Sequence, residues 1–587
     1  MECDEAYTLY YHDLLIKRDK RSNILTMKKL LIVGGVAGGA SAGARARRLD
    51  ENAGIILFER GPDISFANCG LPYHIGGMIG EREKLLITSP EMMRRRFKID
   101  VRTQTEVIAI DRDKKEVVAR NLANGEEYRE SYDALVLSPG AEPLRPPIPG
   151  IGNPKVLTLR NLADMDRIIQ ALELHAIDRP DFLHRKNVAV IGGGYIGLEM
   201  AEALAERGMQ VSLVELSAQV MGPVDPEVAA PLHQELVRQG IDLRLRSSVT
   251  AFASVGEALE IALSDGKQLI VDMAILAIGV KPETKLAADA GLELGSTGGI
   301  KVDDHMRTSD PAIYAAGDAV EVTDYVSGQS ALVPLAGPAN RQGRIAADNI
   351  FGRDSIYRHT QGTAICKVFD LAIGMTGMSE KTARRLEVPY EKVYVHPMSH
   401  ASYYPGAQPL SLKLLFAPDT GKILGAQAVG ADGVDKRIDV LAVAIRAGLT
   451  VFDLEEMELS YAPPYGSAKD PVNYAGFVAA NALRGDVALC HVEDMRNPAE
   501  NQKTLDVRSP REVSFGTIPG AINVPVDELR GNLDQLSKDT EWLVFCQVGL
   551  RGYLACRILT QNGFKCRNLT GGYKTWMMHS AQPRAGV

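Results

Sequence analysis

Two cysteines stand where their neighbours can give them chemistry. Cys69 lies in Ser65-Phe66-Ala67-Asn68-Cys69-Gly70, with no second cysteine within reach in the sequence. Such a thiol cannot close a local disulfide, so it cycles with an external thiol as a mixed disulfide or persulfide, or it cycles as a sulfenic acid. Cys546 opens Cys546-Gln547-Val548-Gly549-Leu550-Arg551, a C-x4-R pattern that follows the apolar run Leu543-Val544-Phe545. A loop of this length curling into a helix turns its backbone N–H groups toward an anionic thiolate or persulfide, and Arg551 adds fixed charge. A phosphate cradle of the C-x5-R type is one residue longer; four intervening residues favour sulfur. Cys556 and Cys566 lack that setting and read as structural.

The elements that position these groups follow from periodicity. The run 28–35 is an apolar strand ending in glycines, a small-residue helix follows, and 55–60 is the next strand. The unit returns as a strand at 187–194, a helix at 195–208 and a strand at 211–216. Gly192, Gly194 and Gly197 form a full G-x-G-x-x-G between strand and helix, and Glu215 ends the following strand. Those glycines let a pyrophosphate approach the helix N-terminus, while the Glu215 carboxylate accepts from both ribose hydroxyls of NADH and repels a 2'-phosphate. The first turn is less regular: Gly34-Gly35-Val36-Ala37-Gly38-Gly39 has valine at the middle glycine position, with Glu59 further on. Ser138-Pro139-Gly140 and Gly317-Asp318 lie where a long cofactor such as FAD needs further contacts, Asp318 toward its ribityl and pyrophosphate. The stretch 131–143 is taken as the return from the second fold to the first.

A chain of 587 residues is too long for one core and implies several domains. The expected division is an extension at 1–26, an FAD-binding domain at 27–147 and 301–358, and an NADH-binding domain at 148–300. An α+β domain follows at 359–487, with strands at 364–377, 410–417 and 423–430 and a helix at 436–447, and then a small α/β domain at 488–587. A net charge of -8 gives no footprint for nucleic acid or anionic lipid. No apolar run reaches the length of a membrane span. Seven cysteines, odd in number and sparse, point to a reducing compartment, and the first 26 residues show no export signal. No metal site is expected.

With these motifs in order, residues 27 to about 485 resemble the two-dinucleotide-fold flavoprotein disulfide reductases. The lone cysteine in Ser65–Gly70 resembles the subgroup holding coenzyme A disulfide reductases, NADH oxidases and NADH peroxidases. Arg45, Arg47 and Arg48 on the first helix, His400-Ala401-Ser402-Tyr403-Tyr404-Pro405-Gly406, and Tyr461-Ala462-Pro463-Pro464-Tyr465 resemble the coenzyme A branch. The peroxide branches typically show an early histidine in the first turn or helix, and the turn here has none. Residues 488–587 resemble a single-domain rhodanese, through Asp506-Val507-Arg508, Gly520–Pro525, the Cys546 loop and Gly571-Gly572-Tyr573 with Trp576. The whole is similar to the coenzyme A disulfide reductase-rhodanese fusions, including NADH-dependent persulfide reductases.

That resemblance implies an α/β protein with two Rossmann-like FAD and NAD(P)-binding domains, an α+β dimerisation domain and a C-terminal rhodanese domain. It implies FAD contacts at Gly34, Val36, Ala37, Gly38, Glu59, Arg60, Asn68, Val107, Ser138, Gly140, Arg160, Asp318 and Ala336. NADH would touch Gly192, Gly194, Gly197, Glu215 and Gly279, and coenzyme A would touch Arg45, Arg48, Ser65 and Asn68. The implied catalytic residues are Cys69, Cys546, Arg551, Tyr403 and Tyr461, the tyrosines reaching the partner subunit's cysteine in a cytoplasmic homodimer. The implied substrates are coenzyme A persulfide, other persulfides or polysulfide, and coenzyme A disulfide. Two other readings stay open: an NADH oxidase or peroxidase, and a rhodanese sulfur carrier whose flavoprotein half senses redox state.

Overall fold

The structure is a computed structural model in which residues 29–173 and 186–580 are described. The extension expected at 1–26 lies outside them. The described residues divide into two compact units, one made of the chain to Leu71 with Ile79–Leu144 and Val280–Thr360, the other of Pro72–Met78, Arg145–Gly279 and the chain from Gln361.

In the first unit a parallel sheet runs in the order Ile313–Ala315, Ala134–Leu137, Lys29–Val33, Gly54–Phe58, Asp100–Arg102. Leu30, Leu31 and Ile32 are fully buried, as a strand covered on both faces requires. This is the strand order of a dinucleotide-binding half, which places ligands beyond the carboxyl ends of the strands. The stretch 131–143 is corrected here: Ala134–Leu137 is an inner strand of this sheet, hydrogen-bonded beside Lys29–Val33. Its four residues are all buried, and that burial decides its place.

The second unit repeats the arrangement in the order Asp242–Arg244, Gln210–Val214, Asn187–Ile191, Met273–Leu276, Val156–Thr158. An antiparallel sheet follows, in the order Ala364–Val368, Leu371–Gly377, Ile423–Gly430, Leu410–Phe416, Glu391–Val395. Its first two strands form a hairpin whose tight turn is reached by Phe369 at φ 52°. The helix expected at 436–447 spans Val434–Ala447 and ends on Gly448, whose φ of 71° closes it. The C-terminal sheet is parallel, in the order Leu489–Cys490, Lys565–Leu569, Glu541–Phe545, Gln502–Asp506, Ile522–Asn523.

Within the second unit, Lys413 is wholly buried in the strand Leu410–Phe416. Its Nζ lies 2.9, 2.6 and 2.6 Å from carboxylate oxygens of Asp225, Glu227 and Glu380. These three acids are close enough together to hold a cation, and the ammonium supplies one. Lys392 adds a second charge at 2.8 Å from Glu380. Among the described residues no helix is long and apolar enough to cross a membrane.

Candidate active site

In the first unit the chain turns tightly between the strand Lys29–Val33 and the helix Ala37–Leu49. Gly34 sits at φ 94°, and a Cβ there would lie 2.0 Å from the carbonyl oxygen of Ser138, so only glycine lets the two strand ends approach. Val36 caps the helix and Ala37 begins it. The Glu59 carboxylate accepts from the amides of Gly35 and Gly61, each at 2.8 Å, which fixes an anion beside the turn. Arg60 pairs with Glu283. Gly317, just before Asp318, donates its amide to Gln342 at 2.8 Å, and Ala336 starts the helix Ala336–Ile350. Val107 is buried in the strand Thr105–Asp111, and Gly140 has a φ of 80°. A helix N-terminus facing an open turn, with a fixed carboxylate at the next strand end, fits a dinucleotide. Arg160 belongs to the second unit, where its amide donates to Asp164 at 2.8 Å.

The second glycine turn is built alike. A Cβ on Gly192, at φ 108°, would lie 2.4 Å from the carbonyl oxygen of Ala277, while one on Gly194 would meet nothing within 4 Å. Gly194 caps the helix Tyr195–Glu206, which carries Gly197. Glu215 accepts from the amides of Gly193 and Ser217 at 2.7 Å each. Gly279, at φ 113°, follows the strand Met273–Leu276. Sequence reasoning passed over Glu199 on the same helix, whose carboxyl burial pushes up to about 7. The Tyr73 hydroxyl donates to it at 3.2 Å. Its signal was an acid in a helix whose buried positions are almost all apolar.

Cys69 is exposed, within the short turn of helix Asn68–Gly70. The loop before it is pinned: Ser65 adopts φ 47°, its amide donates to Gly35 at 2.9 Å, and Ala67 donates to Leu85 at 2.8 Å. Ser65 also lines a cleft of about 440 Å³, together with Thr88, Arg48, Arg96, Asn340 and Arg344. The expected arginines separate here. Arg45 is ion-paired to Asp348, and Arg47 is buried with its guanidinium on five backbone carbonyls. Arg48 faces the cleft, and neither it nor Arg96 or Arg344 has an acidic partner among the described residues. Thr88 Oγ1 is buried without a hydrogen-bond partner. Arg96, Arg344 and Thr88 were not foreseen, because their approach to Arg48 depends on tertiary folding.

In the second unit, the hydroxyls of Tyr403 and Tyr461 lie 2.7 Å apart. They come from loops that are far apart in sequence, and both side chains are exposed, Tyr403 at 73% and Tyr461 at 49%. The shared hydrogen bond raises the pKa of Tyr403.

Cys546 leaves the strand Glu541–Phe545, and the Gly549 amide donates to its Sγ at 3.2 Å. The carbonyl oxygens of Cys546 and Gln547 accept from the amides of Tyr573 and Lys574, at 2.7 and 3.0 Å. Arg551, on the helix Leu550–Gln561, is gripped by Glu512 at 2.5 and 2.7 Å and also interacts with the Cys546 thiol. That grip pushes the Glu512 carboxyl down to about 2. Arg508, buried on Asp506, reaches Gln547 at 3.2 Å and stacks 4.2 Å over the Tyr573 ring. The loop is therefore braced by a planar cation from below. The arrangement suits transfer of a sulfur atom at an enclosed cysteine.

Comparison with known proteins agrees with this geometry. Residues 28–343 match the pyridine nucleotide-disulphide oxidoreductase family, 363–470 its dimerisation domain, and 491–579 the rhodanese-like domain. The chain is 38% identical over 454 residues to the coenzyme A disulfide reductase of Staphylococcus aureus (strain JH9), covering 77% of this chain and 100% of that one. The crystal structure of reduced Bacillus anthracis CoADR-RHD superposes with a TM-score of 0.90 at 49% identity, over 94% of this chain and 98% of that one. An NAD-dependent persulfide reductase from A. fulgidus superposes with a TM-score of 0.86 at 37% identity, over 93% of this chain and 100% of that one.

Proposed function

Because the chain belongs to the pyridine nucleotide-disulphide oxidoreductases and carries a rhodanese-like domain, we propose that it uses NADH and FAD to reduce coenzyme A persulfide, other persulfides or polysulfide, and coenzyme A disulfide. The observation that carries this reading is the cleft holding Ser65, Arg48, Arg96 and Arg344, three guanidinium groups without acidic partners among the described residues. Such a set suits the phosphates of coenzyme A. The cleft adjoins the Cys69 loop through Ser65, which supports a ligand whose thiol end lies toward that cysteine.

Bound FAD supplies two-electron transfer between NADH and a thiol. Gly34, Val36, Ala37, Gly38, Glu59, Ser138, Gly140 and Asp318 would hold it, with Arg60, Asn68, Val107 and Ala336 as further contacts. Gly192, Gly194, Gly197 and Gly279 would seat NADH, and Glu215 would accept from its ribose. Cys69, as thiolate, attacks a sulfur of the persulfide and breaks its sulfur-sulfur bond. Attack on the outer sulfur leaves a Cys69 persulfide and releases the coenzyme A thiolate; attack on the inner sulfur leaves a mixed disulfide and releases hydrosulfide. Either way, the balance is one persulfide, one NADH and one proton giving one thiol, one hydrogen sulfide and NAD+. Tyr403 and Tyr461 of a second copy of the chain donate a proton to the departing sulfur. Cys546 and Arg551 collect sulfane sulfur from polysulfide and present it to the reductase half, whose effective concentration covalent linkage raises. Sparse cysteines support a cytoplasmic location.

The test is NADH consumption with coenzyme A persulfide, coenzyme A disulfide and hydrogen peroxide in parallel, for the parent protein, Cys69→Ser and Cys546→Ser. Persulfide turnover abolished by Cys69→Ser, with polysulfide use lost in Cys546→Ser, supports the reading. Turnover with peroxide alone, or indifference to Cys69, overturns it.

A further inference from the structure

Four of the seven cysteines fall after residue 489: Cys490, Cys546, Cys556 and Cys566. Only Cys546 has a role in the chemistry above. Cys556 is 1% exposed on the helix Leu550–Gln561, and Cys566 is half-buried on the adjacent strand Lys565–Leu569. The Cys566 Sγ lies 3.5 Å from the carbonyl oxygen of Cys556 and 3.4 Å from the Thr560 hydroxyl. Each thiol also perturbs the ionisation of the other, Cys556 being pushed up and Cys566 down. One thiol is thus reachable from solvent, with the other waiting behind it, the division of labour of an attacking and a resolving cysteine.

We propose that Cys556 and Cys566 form a dithiol switch that sulfane sulfur oxidises to a disulfide. The proposal rests on the persulfide and polysulfide reading above. The Cys566 thiolate attacks the outer sulfur of a persulfide, forming a Cys566 persulfide and releasing the thiol. Cys556 then attacks the Cys566 sulfur, forming the Cys556–Cys566 bond and expelling hydrosulfide. Two cysteine thiols are oxidised, one sulfane sulfur is reduced to sulfide, and no NADH is used. Two equivalents of a low-molecular-weight thiol reverse the step by exchange, leaving as their own disulfide. The neighbouring Cys556 thiol and Thr560 hydroxyl lower the Cys566 pKa while Cys556 is pushed up, so Cys566 is the thiol that ionises first. The same helix carries Arg551 and follows Gly549, so the cross-link ties the Cys546 cradle to the sheet beneath it.

Full-length reduced holoenzyme is mixed anaerobically with inorganic polysulfide, without NADH, alkylated, and mapped by peptide mass spectrometry. The expected result is a Cys556–Cys566 linked peptide that disappears on adding excess thiol. Cys566→Ser removes it, and Cys556→Ala traps a persulfide on Cys566. Recovery of both cysteines as free alkylated thiols, while Cys546 carries sulfur, overturns the switch and leaves the functional reading intact. Formation of the link with hydrogen peroxide but not polysulfide also overturns it. Failure of NADH-dependent persulfide turnover in a parallel assay reports instead on the functional reading.

Discussion

Arg45 is ion-paired to Asp348 within the first unit, its side chain only 12% exposed. Two charges so enclosed satisfy each other, and breaking the pair to bind a ligand would leave Asp348 with only the more distant Arg353, at 3.9 Å, and the Ser355 hydroxyl. Arg45 therefore contributes to the cleft by fixing the first helix against the helix Ala336–Ile350. Arg344, on that second helix, and Arg96 line the cleft beside Arg48 and have no acidic partner among the described residues.

Replacing Arg48 or Arg344 with alanine then raises KM for coenzyme A persulfide by about tenfold each, the size of a lost charge-assisted hydrogen bond of ~1.5 kcal/mol. Turnover of a persulfide lacking the nucleotide stays at the parent level. Steady-state kinetics with both substrates decide it: equal losses on the two would show that these arginines maintain structure and bind no phosphate.

Glu512 holds Arg551 by two hydrogen bonds, and Arg551 in turn interacts with the Cys546 thiol. Glu512→Gln keeps the shape and loses the charge, so sulfurtransfer to cyanide falls by about 10-fold, with coenzyme A disulfide reduction unchanged. Because the Glu512 carboxyl is held down near 2, the parent keeps this grip throughout the physiological range. A variant with full sulfurtransferase activity would show that Arg551 needs no partner.

The glycine turns and the Cys546 loop were legible because their requirements are local: Gly34 and Gly192 must let backbones touch, and Gly549 must turn an amide toward Sγ. The cleft was half legible. Arg48 lies on a readable helix, but Arg344 and Thr88 reach it only through the packing of that helix against Ala336–Ile350. Lys413 was illegible, since a lysine amid Leu410, Leu412, Leu414 and Leu415 reads as a solvated edge until three distant carboxylates converge on it. Ala134–Leu137 was misplaced because an isolated apolar run does not say which sheet receives it.

Lys413→Met removes the charge that three buried acids share. The methionine fills similar volume, yet Asp225, Glu227 and Glu380 are left facing one another. Loss of one partner from such a cluster costs about 3–5 kcal/mol. Urea unfolding of the parent and variant measures it. A difference under about 1 kcal/mol would mean that Lys392 or protonation compensates.

His396 joins the antiparallel sheet to the C-terminal domain. Its ring nitrogens lie 2.9 Å from the Ser411 hydroxyl and 2.8 Å from the Thr575 hydroxyl. Burial, with the nearby Lys574 charge, pushes its pKa down to about 3. The folded state therefore binds fewer protons than the unfolded state between about pH 6.5 and 3, so stability rises with pH across that window. The contribution is complete above about 6.5 and declines by about 1.4 kcal/mol per unit as the pH falls toward 3. His396→Gln keeps a hydrogen-bonding side chain and cannot titrate. Its stability falls less steeply than the parent's between pH 6 and 4 in urea titrations read at the C-terminal tryptophans, Trp542 and Trp576. Parallel pH profiles for the two proteins would remove His396 from this role and assign the acid sensitivity of the junction to the carboxylates around Lys413.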